Sequence, residues 1–197
     1  MKNSLKNMGF IRLYIGCMYS GKTSEIINEC RRQISIGKKV LCINNKQDDR
    51  YGNDDFLYSH DLTKVKCVYA TKLEDVPYEI INSSDCIMIN EGQFFTDLKN
   101  TVLKWCEIMD KDILISGLDG DYKRKPFGQI LELIPLCDEV TKVSALCVKC
   151  QDGTKANFTH RLSDEKEQVV IGSSNYIPLC RRHYLNLTVT DDDEVYD

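Results

Sequence analysis

The string GCMYSGKT, Gly16 to Thr23, fits the pattern G-x-x-x-x-G-K-[ST], and its flanks constrain the fold more than any other feature of the chain. Before it, Phe10 to Ile15 is a short apolar run with the character of a buried strand. After it, Ile26, Ile27, Cys30 and Ile34 recur at helical spacing. Strand, glycine-flanked loop and helix in that order make a phosphate-binding loop. Gly16 and Gly21 let the backbone turn around an anion, so that successive N–H groups and the helix N-terminus face it. Lys22 is placed to reach β- and γ-phosphate oxygens, and the Thr23 hydroxyl suits Mg²⁺, a hard cation that prefers oxygen. Met18, Tyr19, Ser20 and Ser24 complete the segment around a polyphosphate such as that of ATP. An accidental glycine turn with a surface lysine is the bland alternative, and the flanking strand and helix argue against it.

The rest of the chain continues the alternation. Val40 to Ile43, Val65 to Tyr69, Cys86 to Ile89 and Ile113 to Ser116 read as buried strands, with helices expected near 73–83 and 96–110. Such a pattern gives a mostly parallel α/β sheet flanked by helices, in the manner of P-loop nucleotide hydrolases. Asn44 to Asp61 is polar and reads as a mobile loop. Beyond Pro126 helices give way to a strand-like run, Val140 to Leu146, and two short extended segments, Ala156 to His160 and Gln168 to Ile171. These outline a small β-ribbon. The expected division is a nucleotide-binding domain over 9–140, a ribbon over 141–187 and an acidic disordered tail over 188–197.

Composition narrows the function. At 197 residues the chain has room for one core with an appendage. A formal charge of −4 argues against a nucleic-acid partner, which would call for clustered basic charge. No run approaches the length of a membrane span, and the first eight residues lack the apolar stretch of a secretion signal. Seven of the ten cysteines, Cys17, Cys30, Cys42, Cys67, Cys86, Cys106 and Cys137, are scattered singly, as buried thiols of a reducing compartment would be. A cytoplasmic protein is expected.

The other three cysteines are paired with purpose. Cys147 and Cys150 form C-x-x-C, and Cys180 and His183 form C-x-x-H; four such ligands in two tight knuckles suit a closed, structural zinc site. A disulfide would leave one cysteine and the histidine unused. At the carboxyl end of the strand Cys86 to Ile89, where ligands of open α/β sheets bind, stand Asn90, Glu91, Gly92 and Gln93. Glu91 reads either as a general base or as a carboxylate at the N-terminus of a helix starting near Phe94.

Taken in order, GCMYSGKT, SHD at 59–61, NEGQFF at 90–95, GLDGDYKRKPFG at 117–128 and the two knuckles resemble the thymidine kinase family of the cellular and poxviral, zinc-containing type. The resemblance spans residues 10 to 184. It implies transfer of the ATP γ-phosphoryl to the 5′-hydroxyl of thymidine, and often of deoxyuridine, with Glu91 taking the hydroxyl proton. It implies a place for Asp61 near phosphate and sugar. Arg124 and Lys125 would steady phosphate charge, unless they form only a solvated basic turn. It matches Met18, Phe94, Leu118, Tyr122, Phe127, Thr159 and Tyr176 to the lining of the base, with Val170, Ile171 and Gly172 leading into a lasso loop, Gly172 to Leu179. A homotetramer and feedback inhibition by dTTP, thymidine triphosphate, are further implications.

Three positions depart from that pattern. Asn90 stands where the family usually has aspartate, which removes a negative charge near the metal. Leu62 replaces a common arginine, Cys17 replaces a common proline, and the lasso is one residue shorter. Asn90 supports a second reading, a nucleoside-binding regulator with weakened or lost catalysis.

Overall fold

The computed structural model describes residues 8–47, 56–58, 64–170 and 172–188. Strand β1 (Ile11–Ile15) leads through the glycine loop into helix α1 (Lys22–Ser35), followed by β2 (Val40–Asn45). Then come β3 (Phe56–Tyr58), β4 (Lys64–Lys66), β5 (Val68–Ala70), helix α2 (Tyr78–Asn82) and β6 (Cys86–Ile89). Helix α3 (Leu98–Leu103) runs on into a π turn, Lys104–Ile108, before β7 (Asp112–Gly117) and β8 (Glu139–Lys142). The remainder is β9 (Ala145–Leu146), β10 (Lys155–Ala156), β11 (Phe158–Arg161), β12 (Tyr176–Leu179) and helix α4 (Arg181–Thr188).

Six strands form one sheet in the order β5-β2-β6-β7-β1-β8, and every pairing in it is parallel. Parallel sheets need cover on both faces, and the strand sequences supply it by alternation. Ile11, Leu13 and Ile15 of β1, Ile87 and Ile89 of β6, and Ile113 and Ile115 of β7 pack on one face with Leu98, Val102 and Trp105. The intervening Tyr14, Cys86, Met88 and Leu114 pack on the other against Ile26, Ile27 and Cys30 of α1. Four of the scattered cysteines, Cys30, Cys42, Cys67 and Cys86, lie in that second cluster and Cys106 in the first. Cys137 departs from the expectation and is only half-buried.

Several expected elements divide. The run Val65 to Tyr69 breaks at Cys67, because Lys64–Lys66 pairs antiparallel with Phe56–Tyr58 while Val68–Ala70 joins the main sheet beside β2. Part of the expected loop is therefore strand: Asn44 and Asn45 end β2, and Phe56–Tyr58 forms β3; 48–55 and 59–61 lie outside the described residues. The run Val140 to Leu146 divides too. Its first part is the sheet edge against β1, and its second pairs with β10. Gln168 to Val170 is not a strand; β11 pairs with β12 instead. The acidic residues 189–197 lie outside the described residues.

Candidate active site and metal centre

The glycine loop takes the shape its sequence demands. Gly16 has φ +154 and a β-carbon there would collide with the Val143 carbonyl; Tyr19 and Gly21 have φ 62 and 85. Gly21 precedes α1 directly, so a left-handed residue turns the chain into the helix and aims its first amides at the mouth of the loop. Lys22 is buried and folded back, its Nζ donating to the Cys17 carbonyl at 2.6 Å. Two further bonds tie the loop to the ribbon. Met18 N–H donates to Thr159 Oγ1 at 3.0 Å, and the Cys17 thiol donates to the Ala156 carbonyl at 3.4 Å. Burial pushes the Cys17 thiol up, which keeps it protonated and able to donate.

Across a cleft from this loop, at the end of β6, lies Glu91. Its backbone is left-handed (φ 53, ψ 45), it is 9% exposed, and its Oε2 accepts from Gln93 Nε2 at 2.6 Å. Gln93 is fixed in turn, since its Oε1 accepts from Leu118 N–H at 3.0 Å. The segment after Glu91 is a three-residue 3₁₀ turn, Gly92–Phe94, without a side-chain cap, and α3 begins only at Leu98. Glu91 therefore caps no helix. Asn90 points elsewhere: its Nδ2 donates to Asn44 Oδ1 at 3.1 Å, and its Oδ1 accepts from Ser116 Oγ at 2.8 Å. It does not line the cleft.

The far wall of the cleft is aromatic and apolar. Phe94 and Phe127 meet edge to face with centroids 5.5 Å apart, and Leu118, Tyr122 and Tyr176 continue the surface. Flat apolar walls with a few directed polar groups suit a planar ring. Asp121 braces the turn behind them. Its Oδ1 accepts from the N–H groups of Lys123 and Lys125, and its Oδ2 accepts from Gln168 Nε2 at 2.9 Å.

The ribbon gathers Cys147, Cys150, Cys180 and His183 so that their ligand atoms all lie within 4.8 Å of one another. Cys150 Sγ is 3.7 Å from Cys180 Sγ, and His183 Nδ1 is 3.5, 3.3 and 3.4 Å from the sulfurs of Cys147, Cys150 and Cys180. A tetrahedron with metal–sulfur bonds of about 2.3 Å has edges of about 3.8 Å, so these donors fit zinc; a disulfide needs sulfurs about 2.05 Å apart.

A family model described as thymidine kinase matches residues 9–184. The chain belongs to the thymidine kinase family. The thymidine kinase of vaccinia virus (strain Western Reserve) is 40% identical over 184 residues, covering 91% of this chain and 99% of that protein. That of monkeypox virus is 39% identical with the same coverage, and that of rice, Oryza sativa subsp. japonica, is 38% identical, covering 90% of this chain and 67% of its own. The chain is accordingly a kinase enzyme.

In this kinase the cleft brings together most of the residues picked out in the sequence. Met18, Tyr19, Ser20, Gly21, Lys22, Thr23 and Ser24 line it from the loop and helix, Glu91 and Phe94 from the end of β6, and Leu118, Tyr122 and Phe127 from the segment after β7. Thr159, Val170, Gly172 and Tyr176 close it from the ribbon. Gly16 shapes the loop without lining the cleft. Arg124 is not brought in: its guanidinium lies 5.1 Å from the Tyr184 ring centroid, on the side of α4. Lys125 is exposed. Asp61, Leu62 and Ile171 lie outside the described residues. The expected lasso is a loop only in part, because Tyr176–Leu179 is strand β12. Gln93, expected at the end of β6, lines the cleft too, as do Gln47, Gly120, Asp121, Gln168 and Val169, which no local pattern marks. Gln93 and Asp121 stood inside the quoted strings NEGQFF and GLDGDYKRKPFG, but their roles depend on partners distant in sequence.

Proposed function

We propose that this enzyme transfers the γ-phosphoryl of ATP to the 5′-hydroxyl of thymidine, and of deoxyuridine, giving the monophosphate and ADP. The observation that carries the reading is one cleft whose lining combines the glycine loop and Lys22, flat aromatic and apolar side chains, and a carboxylate, Glu91. Phosphoryl transfer asks for positioning and charge stabilisation more than for covalent chemistry, and that layout meets the need. The amides of the loop and Lys22 would bind the polyphosphate. Thr23 would hold Mg²⁺, which offsets charge on the phosphate oxygens when bound. Glu91, held by Gln93, would take the proton of the 5′-hydroxyl as the oxygen attacks. Phe94, Phe127, Leu118, Tyr122 and Tyr176 would hold the base, and a slot of this kind excludes a larger purine. Cys147, Cys150, Cys180 and His183 would hold a structural zinc. A homotetramer, inhibition by dTTP and a cytoplasmic setting complete the proposal, supported by family membership; among the described residues no helix is long and apolar enough to cross a membrane.

The test is direct. Labelled thymidine with ATP and Mg²⁺ yields labelled monophosphate, and Glu91→Ala abolishes the product while thymidine binding persists. Absence of product at every Mg²⁺ concentration refutes the proposal; thymidine binding without turnover would then favour the regulator reading.

A further inference from the structure

Between β11 and β12, from 162 to 175, the described residues form no strand and one three-residue 3₁₀ turn, Ser173–Asn175, yet Gln168, Val169, Val170 and Gly172 form a wall of the cleft. A loop that serves as a wall must be held by something, and here one side chain gathers three of its carbonyls. Arg161, the last residue of β11, is 5% exposed. Its Nη1 donates to the carbonyls of Glu165 (2.9 Å) and Glu167 (2.5 Å), and its Nη2 to the carbonyl of Gln168 (2.9 Å) and to Tyr176 Oη (2.8 Å). Its Nε donates to the same hydroxyl at 3.2 Å. All five N–H donors of a guanidinium are thus engaged. Tyr176 Oη passes the tie onward, donating to the Val170 carbonyl at 2.9 Å. The guanidinium also stacks on Tyr122, 3.7 Å from its centroid, and Tyr122 Oη donates to the Lys166 carbonyl at 3.2 Å.

Among the described residues Arg161 has no carboxylate partner. A buried cation without a counter-ion is an expensive way to fill space, since apolar packing would do so at less cost. What the planar fork provides that packing does not is a fixed geometry for several main-chain carbonyls at once. Lysine has the charge but neither the fork nor the flat face for Tyr122.

We propose that Arg161 is a positioning residue for the nucleoside: it fixes the loop of residues 165–170 so that Gln168, Val169 and Val170 hold their wall of the cleft, and so sets nucleoside affinity without acting on the phosphoryl site. This rests on the function proposed above. Arg161 does not itself line the cleft. Its effect passes through the loop and through Tyr122 and Tyr176.

Kinetics of Arg161→Lys and Tyr176→Phe, together with amide hydrogen exchange of the ligand-free proteins, test it. In Arg161→Lys the thymidine KM rises about 10- to 100-fold, as expected for a wall displaced by about 1 Å, while the ATP KM is unchanged. Exchange accelerates at 165–170 and not in β1, β6 or α1. Tyr176→Phe, which keeps the ring and removes only the relay hydroxyl, shows the same split to a lesser degree. An unchanged thymidine KM overturns the proposal, as does a parallel rise in both KM values. If the wild type phosphorylates no nucleoside, the proposed function falls and exchange alone decides: equal rates at 165–170 in wild type and Arg161→Lys overturn the positioning role.

Discussion

Replacing Asn90 by aspartate puts a charge into a buried hydrogen-bond chain. Asn90 is 1% exposed, between Asn44 at the end of β2 and Ser116 near the end of β7. A carboxylate there still accepts from Ser116 Oγ, but it sets an oxygen against Asn44 Oδ1 where an N–H had been donated. The lost bond costs about 1 kcal/mol. Burial raises the pKa of the new carboxyl by roughly 2–3 units, and each unit is worth about 1.4 kcal/mol. The sum is about 4–5 kcal/mol, a large share of the ~5–15 kcal/mol that holds a domain folded. The sign fixes the pH dependence. A carboxyl whose folded pKa lies above its unfolded value near 3.9 carries no penalty below about pH 4 and the full penalty only above the folded pKa. Urea midpoints of Asn90→Asp and wild type, without nucleotide or Mg²⁺, should therefore lie far apart at pH 8 and converge towards pH 5. Equal midpoints at pH 8, or a gap that widens in acid, would show that position 90 is not the buried, desolvated site described above.

Two further outcomes follow from the ribbon. Removing zinc with a chelator should raise the thymidine KM while far-UV circular dichroism still reports an intact sheet, because Thr159 and Tyr176 lie on the ribbon strands; an unchanged KM in the zinc-free protein contradicts this. His160, half-buried on β11, has its pKa pushed below the ordinary 6.5, first by burial and then by Lys149. Its neutral form is favoured by folding, so its contribution is complete above pH 6.5 and is lost as pH falls through the lower folded value. His160→Asn should flatten the acid limb of the stability profile relative to wild type, as read by urea denaturation at constant zinc.

The glycine loop and the Cys/His cluster were legible in the sequence because each is a local pattern with a local mechanism: Gly16, Gly21 and Lys22 act within eight residues, and Cys147 with Cys150 within four. Glu91 was legible from its place at a strand end. What the pattern of residues could not convey was pairing at a distance. Nothing in Val140 to Leu146 marks where the chain leaves β1 for β10, next to the carbonyl of Val143 that packs on Gly16. The resemblance implies a phosphate role for Arg124, but the turn around Asp121, with Arg124 at φ 64, directs it to Tyr184. Arg161 carried no signal at all, because its worth lies in three carbonyls of a loop without secondary structure.

The substitution at Cys17 acquires a meaning from the same geometry. Cys17 is 2% exposed and sits in the ribbon core with Ala145, Cys147, Ala156, Leu179, Cys180 and Tyr184, two of which are zinc-site cysteines. It is also the second residue of the phosphate loop. A proline there would lack the backbone donor and the thiol; the thiol holds the Ala156 carbonyl while the next amide holds Thr159. On the opposite wall Tyr184 of α4 donates to the Tyr122 carbonyl at 2.6 Å. The ribbon thus grips two parts of the cleft wall, the glycine loop and the turn that carries Tyr122. The sheet supports the loop only from beneath, through β1 and α1. Under the proposed function, a zinc ion that keeps the ribbon rigid would fix the spacing of these two parts of the wall, the quantity a phosphoryl transfer between two bound substrates depends on most.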